Sequence, residues 1–131
     1  MKQERKKLGD AELDIMLAIW QAPGPVTSTW LLEQLRGKRD WPLSALMTTL
    51  ARLADKGFVA CDRSTRTNYY SALVSEAEYK ARESSSFLQR LHAGSLPSLV
   101  AGLYGSQAIG NAELEELRAL IDTLEGGDQN G

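Results

Sequence analysis

Residues Trp41 to Tyr70, WPLSALMTTLARLADKGFVACDRSTRTNYY, decide the fold of this 131-residue chain. Pro42 restricts Trp41 to an extended conformation, and Ser44 is a suitable helix cap. Leu46, Leu50 and Leu53 then recur at helical spacing on one face. At about 100° per residue, Ser44, Thr48, Ala51, Arg52 and Asp55 fall opposite them. Gly57 supplies a left-handed stop after Lys56. Phe58 to Asp62 is rich in strand formers, Arg63 to Thr67 is a polar turn, and Asn68 to Leu73 returns as a second strand. The helix has one apolar face and one face of small hydroxyl residues plus arginine. A hairpin with Arg63 and Arg66 at its tip follows at once. That is the layout of a winged helix that reads duplex DNA.

Upstream, Leu13, Met16, Leu17 and Trp20 repeat at i, i+3, i+4, i+7 and predict a first helix over Leu8 to Trp20. Gly9 serves as its N-cap, with Glu12 placed to reach back to the backbone. Pro23-Gly24-Pro25 ends it. Thr27 or Ser28 caps a second helix to about Arg36, with Leu31, Leu32 and Leu35 inward. Gly37 to Pro42 is a turn. These elements predict a winged helix-turn-helix domain over residues 1–74. Its expected core is Leu13, Met16, Leu17, Trp20, Leu31, Leu35, Leu46, Leu50, Leu53, Val59 and Leu73.

Residues 75–131 read as three more helices. Ser75-Glu76-Ala77-Glu78 is a capping box that opens a helix to about His92. Gly94 breaks it, and Pro97 stands in the first turn of a helix to about Tyr104. Asn111 caps the sixth helix, and Gly126 to Gly131 is expected to fray. So short a segment encloses little core by itself. It nevertheless presents Phe87, Leu88, Leu91, Leu96, Leu99, Val100, Leu103 and Tyr104, and a stripe of Leu114, Leu117, Leu120, Ile121 and Leu124. Each such side chain stabilises by roughly 1.5–3 kcal/mol when fully buried. Either a second copy of the segment or the first domain must cover them. The second copy is favoured, because the first domain has its own core and two-fold dimers are the commonest oligomers. The expected architecture is thus mainly α with a small β-hairpin wing: an N-terminal winged helix-turn-helix and a C-terminal helical dimerisation segment over 75–131.

Composition excludes several other classes. The hydrophobic share of 43% and charged share of 24% are those of a globular chain. No apolar run suits a membrane span, and MKQERKKLGD lacks the apolar heart of a signal peptide, so a cytoplasmic location is expected. The one cysteine, Cys61, allows no internal disulfide. With the one histidine, His92, it leaves no zinc site of several Cys and His ligands, and no cofactor is expected. No nucleophile–base pairing, P-loop or dinucleotide fingerprint stands in the sequence, so no enzymatic activity is read from it. The net charge of −2 is unevenly divided. Residues 1–74 carry 11 Lys/Arg and 8 Asp/Glu; residues 75–131 carry 4 and 9. A basic front half suits phosphate contact, which needs only a local basic face.

The DNA-facing candidates follow from the predicted helix. Its N-terminal residues lie nearest the base edges, which selects Ser44, Ala45, Met47 and Thr48, with Arg52 one turn deeper. Hydroxyls bond bases or phosphates, and arginine forks onto a guanine edge or clamps a phosphate. Arg63 and Arg66 at the wing tip, and Lys38 and Arg39 before the helix, are placed for backbone contact. The alternative for the same pattern is a winged-helix module that docks proteins.

Three motifs resemble the penicillinase-repressor family (BlaI/MecI/CopY type). They are L-x-x-x-E-L-x-I-M-x-x-I-W from Leu8, S-A-L-M-T-T-L-A-R-L-A-D-K-G-F-V from Ser44, and F-L-x-R-L-x-x-G-S-L-x-S-L-V from Phe87 to Val100. The likeness runs from about Leu8 to Leu124. It implies a homodimeric repressor whose winged-helix domains bind palindromic operator DNA, with C-terminal helices forming the dimer. It also implies DNA-reading positions at Ser44, Ala45, Thr48 and Arg52. By family analogy a membrane sensor protease would be a further partner. Three departures stand out. Ala45 replaces the usual threonine. Gly102-Leu103 stands where antibiotic-responsive members carry the cleaved Asn-Phe bond. The C-terminal cysteine cluster of copper-responsive members is absent.

Overall fold

Gly9 opens helix α1 (Asp10–Gln21), and the Glu12 carboxylate returns to accept the Gly9 amide at 2.9 Å. The computed structural model describes residues 7–130, with side chains through Gly127. Helix α2 (Ser28–Gln34) is capped by Thr27, whose hydroxyl accepts the Trp30 amide at 3.0 Å. Gly37, at φ +91°, takes the left-handed turn before helix α3 (Leu43–Asp55). Its cap is Pro42 rather than the expected Ser44: the helix starts two residues earlier, with no side-chain cap bond. Gly57, at φ +85°, ends α3 as predicted.

Strands β1 (Val59–Asp62) and β2 (Tyr69–Ala72) pair antiparallel, with Val59 opposite Ala72 and Asp62 opposite Tyr69. Each is shorter than its predicted run, and the later start of β2 lengthens the turn to Arg63–Asn68. Val26 adds a rung beyond β2, exchanging two backbone bonds with Tyr70 at 2.9 and 2.7 Å. The Pro23-Gly24-Pro25 segment thus delivers the chain to the sheet edge as well as ending α1.

The chain divides into two compact units, one up to Glu83 and one from Ser84. The division falls about two turns into helix α4 (Glu76–His92), beyond the boundary expected at residue 74. Tyr79 explains the difference. It is buried in the first unit, where its ring meets Phe58 edge-on at 5.7 Å and Trp20 at 5.9 Å, and its hydroxyl accepts the Leu8 amide at 3.1 Å. The same core holds Ile15, Met16, Leu31, Leu46, Leu50, Leu53 and Val74, all essentially inaccessible.

Two core expectations need correction. Leu73 is 56% exposed and Val74 takes its place inside, because the alternation of β2, continued past its end, turns Tyr70, Ala72 and Val74 inward. The buried stripe of α1 is Glu12, Ile15, Met16 and Ile19. It is rotated one residue from the expected stripe, leaving Leu13, Leu17 and Trp20 half-buried. Both stripes have helical spacing. The observed one buries a carboxylate, and Lys56 makes that tolerable, as described below.

The second unit contains the rest of α4, helix α5 (Leu96–Gly105) and helix α6 (Asn111–Asn130). Ala93 and Gly94, at φ +50° and +83°, end α4. Ser95 then caps α5 by accepting the Ser98 amide. Asn111 lies inside α6 rather than capping it. Its side chain accepts the Tyr104 hydroxyl, while Glu113 accepts the Gly110 amide at 2.7 Å. The helix also carries through Gly126 and Gly127 to Asn130, where fraying was expected; Gly131 lies outside the described residues. No side chain from Ser84 to Gly127 is buried.

Candidate nucleic-acid interface

Burial of Leu46, Thr49, Leu50 and Leu53 fixes the rotation of α3, and everything else on the helix follows from it. Ser44, Met47, Thr48, Ala51, Arg52 and Asp55 are all exposed, and Ala45 is half-buried at the edge of the face. The Thr48 hydroxyl donates to the Ser44 carbonyl at 3.0 Å, so it offers its lone pairs outward as an acceptor. Thr49 makes the equivalent bond to the Ala45 carbonyl from the buried side. Among the described residues Arg52 forms no ion pair.

The axis of α3 is tied at both ends. At its C-terminal end Lys56, the residue after the helix, places its ammonium 2.6 Å from the Glu12 carboxylate of α1. Burial opposes ionisation of Glu12. The Lys56 hydrogen bond, the Gly9 amide and the positive charges of Lys56 and Arg52 outweigh it and hold the carboxyl below its ordinary value. At the N-terminal end, Arg39 in the turn before α3 bonds Asp14 of α1 at 2.6 Å, and its guanidinium lies 6.0 Å from the Trp41 ring centre. Lys38 lies 3.6 Å from the same carboxylate with its side chain largely in solvent. Of the two cations expected before α3, Arg39 is therefore committed to holding the turn, and Lys38 remains accessible.

The wing is braced by its own polar residues. Asp62 accepts the Ser64 amide at 2.9 Å, and Thr65 donates to the Thr67 carbonyl at 2.8 Å, which tightens the tip from within. The Ser64 hydroxyl and amide hold the Asp62 carboxyl below its usual range, so it is a fixed negative charge at neutral pH. Arg63 and Arg66 are exposed and, among the described residues, form no ion pair.

Of the apolar residues expected at a dimer interface, Phe87, Leu91, Leu96, Leu103, Leu120, Ile121 and Leu124 are exposed, as is Tyr104. Leu88, Leu99, Val100, Leu114 and Leu117 are half-buried within the second unit. Sequence reasoning missed the two tethers of α3 and the exposure of Leu43. The tethers join residues far apart in sequence, so no local pattern signals them. No group of His, Cys, Asp and Glu among the described residues is placed to hold a metal ion, and no helix among them is long and apolar enough to cross a membrane.

Comparison with known proteins places this geometry. The family model for the penicillinase repressor matches residues 8–123. The methicillin resistance regulatory protein MecI of Mammaliicoccus sciuri is 26% identical over 122 residues, 93% of this chain and 98% of that protein. The penicillinase repressor of Bacillus licheniformis is 27% identical over 116 residues, 88% of this chain and 90% of that protein. Among solved structures, the DNA-binding domain of the repressor BlaI superposes with a TM-score of 0.51 at 24% identity, covering 60% of this chain and 94% of that one. Bacillus licheniformis BlaI, monomeric and in complex with the blaP half-operator, gives 0.50 at 25% identity, over 58% of this chain and 92% of that one.

Proposed function

Because the chain belongs to the penicillinase repressor family, we infer that it is a transcriptional repressor that binds operator DNA as a homodimer. The observation that carries this reading is the exposed face of α3. It combines an acceptor hydroxyl on Thr48 with an arginine that, among the described residues, forms no ion pair, on a helix whose rotation is fixed by its core and whose axis is tethered at both ends. The relative solved with a half-operator supports it.

On this reading α3 enters the major groove. Ser44, Met47 and Thr48 face the bases, Ala45 permits close approach at the edge, and Arg52 reaches a base or a phosphate one turn deeper. Arg63 and Arg66 bring the wing to the adjacent backbone, and Lys38 adds a phosphate contact. The first unit, up to Glu83, forms the reading domain, and the second pairs two copies through its exposed leucines on α4, α5 and α6. The two α3 helices then meet successive major grooves, about 34 Å apart. A dimer seated on a promoter excludes the polymerase, and its two half-sites bind as a linked pair. The protein acts in the cytoplasm and catalyses no reaction. Gly102-Leu103 lies in α5, where antibiotic-responsive members carry the cleaved bond, so we assign the chain no sensor-protease partner.

Fluorescence anisotropy on a duplex from the region upstream of its own gene tests the reading. Affinity is expected to fall steeply between 50 and 200 mM salt as counterions are released, and Arg63→Ala with Arg66→Ala to flatten the salt slope by about one per arginine. An unchanged slope would remove the wing from the interface.

A further inference from the structure

The exposed face of α3 has two edges of different chemistry. One is polar, with Thr48 and Arg52. The other is apolar: Leu43 and Met47 stand four residues apart, one above the other, 47% and 37% exposed. Both lie in the first two turns, the part of a recognition helix nearest the base edges. Neither contributes to the buried core of the first unit. A single exposed leucine is ordinary on a protein surface. A stacked pair is different when it shares a face with Ser44, Thr48 and Arg52 and is followed by a wing with two exposed arginines. The cationic side chains select a polyanion as the occupant of this face. Within the major groove of DNA, the apolar group available to a side chain is the C5-methyl of thymine.

We propose that Leu43 and Met47 read thymine methyl groups, so that the operator half-site carries thymine at one or two positions contacted by the apolar edge of α3. This rests on the assignment of α3 to the major groove and adds the base it recognises there. Thr48 complements the choice. With its proton given to the Ser44 carbonyl, its oxygen accepts from the N6 amino group of adenine or the N4 amino group of cytosine. The two edges together specify a step in which a thymine lies beside an amino-bearing base. Asp55, at the far end of the same face, repels phosphate and keeps the C-terminal turn of α3 out of close backbone contact.

The test uses the full chain. Duplexes are selected from a random-sequence pool, and the best are resynthesised with deoxyuridine replacing thymidine at one position at a time, which deletes only the methyl. Wild-type protein is expected to lose about fourfold in affinity for each methyl that becomes buried. Leu43→Ser with Met47→Gln is expected to bind the thymidine duplex more weakly and to be indifferent to the same replacements. Equal binding of thymidine and deoxyuridine duplexes by the wild type, with selection intact, would overturn the inference and leave the repressor reading standing. A deoxyuridine penalty of the same size in the double variant would also overturn it, since the methyl would then act through DNA shape. Failure to select any duplex would overturn both.

Discussion

The Lys56–Glu12 pair sets how α3 sits on α1, and its removal has a calculable cost. Glu12→Gln keeps an acceptor for the Gly9 amide but takes away the charge that Lys56 meets at 2.6 Å. A charge-assisted hydrogen bond contributes about 1.5–3 kcal/mol, and breaking a fully buried pair costs about 3–5 kcal/mol. The Glu12 side chain is 9% exposed but that of Lys56 is 23% exposed, so water reaches the stranded ammonium and the higher range does not apply. The expected loss is about 2 kcal/mol, a fall in Tm on the order of 10 °C for a unit of this size. A double-mutant cycle with Lys56→Met should give a coupling of about 1–2 kcal/mol. Trp20, Trp30 and Trp41 all lie in the first unit, so urea unfolding followed by tryptophan fluorescence reports this unit directly. The pH dependence has a definite sign. The folded carboxyl is held below its ordinary value of 4.5, so its contribution is complete above that value and is lost as pH falls through the folded one. Wild type and Glu12→Gln should therefore converge in stability on acidification. A coupling within about 0.3 kcal/mol of zero, or a stability gap that ignores pH, would refute the argument that this latch holds α3.

Three further outcomes are expected. Arg52→Ala should weaken binding to the selected duplex by about 1–3 kcal/mol while changing urea stability by less than about 0.5 kcal/mol, and unaltered binding would take Arg52 off the bases. Leu120→Asp, at a residue 52% exposed, should convert dimers to monomers in sedimentation without loss of helical circular dichroism; an intact dimer would move the interface off α6. Trp20→Phe removes the bond from the indole Nε1–H to the Val74 carbonyl at 2.8 Å and should cost about 0.5–1.5 kcal/mol, plus a packing term, in the same urea assay.

Local signals were legible where they were complete in themselves. The Gly9–Glu12 return, the Thr27 cap, the Ser75 cap, the Gly57 stop and the hairpin each rest on residues close in sequence, and each is found. The rotation of α1 was not legible. Two stripes of equal periodicity competed, and the one with a carboxylate won because a lysine 44 residues away neutralises it. Arg39 shows the same limit in the interface. Its position suggested phosphate contact, whereas Asp14, 25 residues upstream, engages it. Ser44 is not the cap because Pro42, at φ −70°, already supplies the extended residue that starts α3, which frees the serine for the exposed face.

Hydroxyl-radical footprinting of the full chain on DNA from its own upstream region tests the central claim most directly. The account predicts two related protections on one side of the duplex, about one helical turn apart, weakened together by Arg52→Ala. Uniform, sequence-independent protection, or none at low salt, would contradict it.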